Sequence, residues 1–130
     1  MTEQEFEVNA EEIVKSIVNK ISEKKYAELA LVTRIDSSWV KSGQTQEQAF
    51  SAFGEWLDEQ LAIWEEDEER KFVVDKFDIS CLDDIELEED NTSFTTYNPT
   101  SFGEELDIWF EIKFCVDKNE QITATFNVNF

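Results

Sequence analysis

The last twenty-five residues alternate apolar and polar side chains with almost no break. In "LDIWFEIKFCV", Leu106, Ile108, Phe110, Ile112, Phe114 and Val116 alternate with Asp107, Trp109, Glu111, Lys113 and Cys115. In "ITATFNVNF", Ile122, Ala124, Phe126, Val128 and Phe130 alternate with Thr123, Thr125, Asn127 and Asn129. A period of two belongs to a strand with one face buried and the other in water. "DKNE" between the runs supplies turn residues, so the pair predicts a long antiparallel hairpin. Any fold for this chain must cover one face of that hairpin with something apolar.

The N-terminal half offers that cover at helical spacing. Ile13, Val14, Ile17, Val18 and Ile21 fall within an arc of about 140°, with Lys15, Ser16, Asn19 and Lys20 on the other side. Asn9 and Glu12 have capping-box spacing, which predicts a helix over 10–22 behind a frayed lead of residues 1–8. Thr45 and Gln48 repeat that spacing and predict a second, longer helix to Glu69. Its Phe50, Phe53, Leu57, Leu61 and Trp64 form a stripe about 80° wide. Ala49, Ala52, Trp56 and Ile63 form an adjacent stripe, with Gln60 as the polar exception. A helix apolar over so wide an arc is expected to be cradled by a curved sheet and by the first helix. Between the two, "YAELALV" has the character of a further short helix. "DSSWVKSGQ" reads as a loop with Trp39 pinned to the body of the domain.

From Phe72 the period changes from 3.6 to 2. "KFVVDKFDISC" reads as a strand with Phe77, Ile79 and Cys81 facing one way. "DDIELEEDNTS" reads as a connection with a short strand at Ile85–Leu87, "FTTY" as β-prone, and "NPTSFGEE" as a loop. Helices come first and strands afterwards, which predicts an α+β fold. We expect one domain over 1–130: N-terminal helices, one of them long, packed on a curved antiparallel sheet of about four strands that ends in the C-terminal hairpin.

This layout resembles the nuclear transport factor 2-like (cystatin-like) superfamily. The residues that carry the resemblance are "EEIVKSIVNKISEKKYAELALV", the long helix from Thr45, and the strands from Leu106 to Phe130. It implies a curved antiparallel sheet wrapping a long helix, with room for a conical pocket that binds a small ligand. Enzymes of that superfamily commonly place an Asp–His or Tyr–Asp pair in the pocket, and this chain has no histidine for the first. In size and charge the chain also resembles the small acidic immunity proteins that neutralise toxin nucleases in bacterial polymorphic toxin systems. That resemblance implies an inhibitor without catalytic residues.

The missing histidine removes the commonest general base, the Ser-His-Asp triad and the commonest zinc ligand. Three glycines, Gly43, Gly54 and Gly103, do not make a phosphate-cradling loop or a dinucleotide fingerprint. Acid-rich segments such as "DKFDISCLDD" lack the order and the glycine of a calcium loop. No enzyme activity, cofactor or specific metal site is expected. Cys81 and Cys115 lie far apart in sequence and are expected to be reduced. The acidic start, "MTEQEFEVNAEE", does not read as a targeting signal, and no apolar run is long enough to span a membrane. The expected location is the cytoplasm.

The formal charge of −20 on 15.2 kDa disfavours nucleic acid and anionic membranes and favours a basic protein partner. It also opposes self-association, so a monomer or weak dimer is expected. The charge is concentrated: Glu55 to Asp90 holds sixteen acids and three bases, thirteen of the twenty net negative charges. Glu65, Glu66, Asp67, Glu68 and Glu69 close the long helix, where acids oppose the macrodipole and repel one another. Arg70 and Lys71 offset part of this. Asp83, Asp84, Glu86, Glu88, Glu89 and Asp90 form a second run. Charge runs are commonly solvated faces. Here their concentration, with Trp64, Phe94 and Tyr97 flanking them as aromatic anchors, favours a docking surface for a basic protein such as a toxin nuclease. Trp109, on the polar side of its strand, is a further candidate.

Overall fold

The computed structural model describes residues 1–130. The fold is α+β, with two long helices on one face of a four-stranded sheet. Helix α1 spans Glu3–Ser22, and helix α2 spans Gln46–Glu68. A short 3-10 helix, Ala27–Leu31, stands where "YAELALV" suggested a helical piece. The strands are β1 (Arg34–Ile35), β2 (Thr92–Tyr97), β5 (Trp109–Val116) and β6 (Ile122–Asn129), in the order β1-β6-β5-β2. Two-residue strands β3 (Thr100–Ser101) and β4 (Glu104–Glu105) form a separate small hairpin.

The alternating C-terminal runs form the hairpin they predict. Trp109 pairs with Asn129 and Val116 with Ile122. Phe110, Ile112, Phe114, Ala124, Phe126 and Val128 are buried on its inner face. Asp117 shapes the turn by accepting from the amides of Asn119 (2.8 Å) and Gln121 (2.9 Å). Helix α1 lies over β5, where Phe6 meets Phe114 edge-on with ring centroids 5.8 Å apart. Helix α2 lies over β6, where Phe50 and Phe53 reach Phe126 at 6.3 and 5.1 Å. These rings fill the space between helices and sheet. Trp39 is pinned as its loop suggested: its indole N–H donates to Asn127 at 3.0 Å, and its ring packs on Phe53 and Trp56.

Four expectations need correction. Residues 1–8 are not a frayed lead, because α1 starts at Glu3. Thr2 caps it, accepting from the Glu5 amide at 3.1 Å, and Phe6 is fully buried. Asn9 is therefore an exposed residue inside the helix rather than its cap. The sheet is not wholly antiparallel: β1, which precedes α2 in the chain, runs parallel to β6 on the edge. Residues 72–78 form an extended segment without a ladder, and Ile79–Cys81 is a 3-10 turn with Ile79 exposed. Three amides there are satisfied by side chains, Val73 by Ser101, Phe77 by Asn19 and Asp78 by the Tyr97 hydroxyl, and the Asp75 amide donates to Thr100 O at 2.9 Å. Ile85–Leu87 is likewise irregular.

Candidate acidic docking surface

The segment 82–90 runs along the outer edge of β2. Its ends are fastened by the Asp83 amide donating to Thr96 O (3.0 Å) and the Glu88 amide donating to Thr92 O (2.8 Å). Between these points the segment turns Ile85 inward, and Asp83, Asp84, Glu86 and Glu88 stay exposed. Thr95, itself buried, donates its hydroxyl to Asp83 O, and Thr96 donates to the Asp83 carboxylate. The acids therefore sit on a segment held by hydrogen bonds at both ends.

Two grooves take most of their acids from this segment. One, of about 530 Å³, lies against α1 and brings Glu7 and Glu11 beside Asp83, Asp84 and Glu86. Its wall includes Val8 and Ile79, both more than half exposed. The other, of about 440 Å³, brings Asp83, Asp84, Glu86 and Glu88 around Phe94, whose ring is half exposed. No lysine or arginine lines either groove. Low-dielectric walls with one sign of charge focus the field into the solvent in front of them.

The remaining predicted residues are placed differently. Glu65 is half-buried, and Glu66, Asp67, Glu68 and Glu69 are exposed at the end of α2, lining neither groove. Glu69 takes a left-handed conformation (φ 52°) that ends the helix. Arg70 pairs with Glu68 at 3.3 Å and with Glu104 at 2.8 Å, and its guanidinium lies 4.6 Å from the Phe72 ring centroid. Its charge thus offsets part of this end, as its place in the sequence suggested. Trp64 is half-buried against Phe72, with ring centroids 5.9 Å apart. Glu89 and Asp90 lie at the turn before β2, where Asp90 accepts from the Thr92 hydroxyl at 2.6 Å and from its amide at 3.2 Å. Those donors, the hydroxyl first, hold the Asp90 carboxyl below the usual range.

Tyr97 is not an anchor for a partner. It is 1% exposed, stacked between Phe77 and Phe110, and its hydroxyl accepts from the Asp78 amide at 3.0 Å. Burial pushes its pKa up to about 12. Its inward direction follows from β2 alternation: Ser93, Thr95 and Tyr97 face the core, while Phe94 faces out. Trp109, by contrast, is 42% exposed on the outer face of β5.

Glu7, Val8 and Glu11 are the contributors that sequence reading missed. Glu7 and Glu11 stand four apart, a shared-face spacing on a helix. No cluster of His, Cys, Asp and Glu is arranged to hold a metal ion, and no helix is long and apolar enough to cross a membrane. No protein-family model, curated protein or solved structure matches the chain.

Proposed function

We propose that this chain is a non-catalytic binding protein that neutralises a basic protein partner in the cytoplasm, as an immunity protein does by occluding a nuclease-type toxin. One observation carries the reading. Carboxylates from two separate parts of the chain, α1 and segment 82–90, converge on one groove that exposes Val8 and Ile79, the same segment lines a second beside Phe94, and neither is lined by a lysine or arginine. A nuclease cleft presents lysines and arginines where phosphates bind. Carboxylates offer those cations the same sign of charge as a phosphate backbone. The field steers the encounter, and the apolar side chains give contact area once water is expelled.

The test compares two charge reversals with the unaltered chain. One carries Asp83→Lys, Asp84→Lys and Glu86→Lys. The other carries Glu66→Lys, Asp67→Lys, Glu68→Lys and Glu69→Lys. Each is used to capture proteins from the host lysate, which are eluted by a salt gradient and identified by mass spectrometry. We expect one basic protein retained at stoichiometric level by the unaltered chain, with its nuclease activity blocked by that chain. The first reversal should weaken this complex by more than about tenfold, and the second should mainly slow association. Retention of the same proteins by the unaltered chain and the first reversal, all released at low salt, would sink the reading.

A further inference from the structure

On a chain with thirty-one acids and eleven bases, one surface carries no net charge. It is the outer face of the sheet, opposite the helices. The outward residues of β2 are Thr92, Phe94 and Thr96, and those of β6 are Thr123, Thr125, Asn127 and Asn129. Between them β5 presents Trp109, Glu111, Lys113 and Cys115. With exposed Arg34 of β1, in register with Thr125, and Asp36 just after it, whose carboxylate feels the Lys113 charge, this surface holds two acids, two bases and two large exposed rings, Trp109 and Phe94. A basic partner gains nothing electrostatically here. A second copy of the chain, repelled by every other surface, is not repelled by this one.

The order along β5 is also self-complementary. A two-fold axis lying across the strand at Ile112 exchanges position 109 with 115 and position 111 with 113. Glu111 then meets Lys113 of the other copy, twice. Trp109 meets the region of the other copy's Cys115, where the face is hollowed into a groove of about 710 Å³. Phe94, Lys113, Cys115, Thr123 and Glu88 are among the residues that line that groove. The aromatic side chain and the hollow that would receive it are thus placed at equal distances from one axis. An isologous contact requires such placement.

We propose that the outer sheet face is the interface of a symmetric homodimer, with the two β5 strands crossing antiparallel about Ile112 and each Trp109 seated in the partner copy's groove. The dimer contact shares Phe94 and Glu88 with the acidic groove around Phe94 but no residue with the groove against α1, so a second copy competes with a basic partner only at the former. The groove against α1 stays open in the dimer.

Sedimentation equilibrium from about 10 µM to about 1 mM tests it, since a weak dimer dissociates within that range. We expect a reversible monomer–dimer equilibrium. Trp109→Ala and Lys113→Glu should each weaken it by about tenfold or more, as loss of a central aromatic or introduction of like charges does. The double variant Glu111→Lys with Lys113→Glu should restore it to within about threefold of the unaltered chain, because the pairing is only inverted. Reactivity of the Cys115 thiol toward an aromatic disulfide reagent should fall as the dimer forms. The residues are on the surface, and circular dichroism reports that each variant is folded. A monomer mass at every concentration overturns the proposal. So does a dimer that Lys113→Glu leaves unchanged, or one that the double exchange fails to restore.

Discussion

Asp75 illustrates how much one acid can do without being part of the acidic surface. The turn of the β3–β4 hairpin, Phe102–Gly103, has positive φ at both residues (49° and 81°), as tight hairpin turns require. Asp75 holds it from outside, accepting from Thr100 Oγ1 at 2.7 Å and from the amides of Phe102 at 3.0 Å and Gly103 at 2.9 Å. Partial burial works to raise the Asp75 pKa, but these three donors outweigh it and leave the carboxyl below its usual range. Folding therefore lowers this pKa. The stabilisation is present above the unfolded value of about 4 and is lost as the pH falls through the folded value. Asp75→Asn should cost about 1–2 kcal/mol at pH 7, since hydrogen bonds to a charged acceptor exceed those to a neutral one. In urea titrations the gap between the two proteins should close as the pH is taken below about 4. A gap that stays constant into acid would mean that the charge on Asp75 is irrelevant to the turn. Nothing in "DKFDISC" singles out Asp75, because its partners come from residues 100–103. Tyr97 was misread for a related reason. Its place beside acids in sequence said nothing about the register that turns it inward.

At the scale of elements, what could be read was periodic. The C-terminal hairpin and the stripe of α2 each repeat over many residues, so no single position decides them. The start of α1 at Glu3 was not among the elements read, although its apolar pattern is present. Phe6 and Ala10 fall within the same arc as Ile13–Ile21 at 100° per residue, but Asn9 offered a competing cap. Phe6→Ala should destabilise the fold by about 3–5 kcal/mol, the usual result for a buried ring, and a loss below about 1 kcal/mol in urea unfolding would mean that the first turn is frayed. The elements that were not legible depend on distant partners. Strand β1 is two residues long and exists because Ile35 donates to Gln46 Oε1 at 2.7 Å and Asp36 donates to Phe126 O at 2.8 Å. The acidic groove needed the packing of segment 79–86 against α1, which no spacing encodes. Close packing also fixes Gly54 on α2. A Cβ there would stand 2.2 Å from the Tyr26 ring, whose hydroxyl donates to Asp58 at 2.8 Å. In an exposed helix Gly→Ala gains about 1 kcal/mol. Here Gly54→Ala should instead lower stability by about 1–3 kcal/mol through overpacking. Paired with Tyr26→Ala it should recover its helix-propensity gain, and failure to do so in a double-mutant cycle would remove Tyr26 as the cause.

For the whole molecule, charge is the quantity that its two proposed contacts use in opposite ways. Only Glu23, Glu28, Asp58, Glu68, Glu104 and Glu120, six acids of thirty-one, lie within ion-pair distance of a cation. The rest repel one another across the surface, and unfolding lets them move apart. Raising NaCl from about 10 mM to about 0.5 M shortens the screening length from about 30 Å to under 5 Å. Such screening should raise the melting temperature. It should also strengthen the homodimer, because two bodies of charge −20 approach through a neutral face while repelling everywhere else. The same change should weaken a complex with a basic partner, mostly through a slower association rate. Three salt series on one protein thus carry different signs: melting temperature up, self-association up, heterologous affinity down. If self-association weakened with salt, the Glu111–Lys113 contacts would dominate over net repulsion and the neutral-face argument would fail. If heterologous affinity were indifferent to salt, the apolar side chains rather than the carboxylates of α1 and segment 82–90 would be the source of binding.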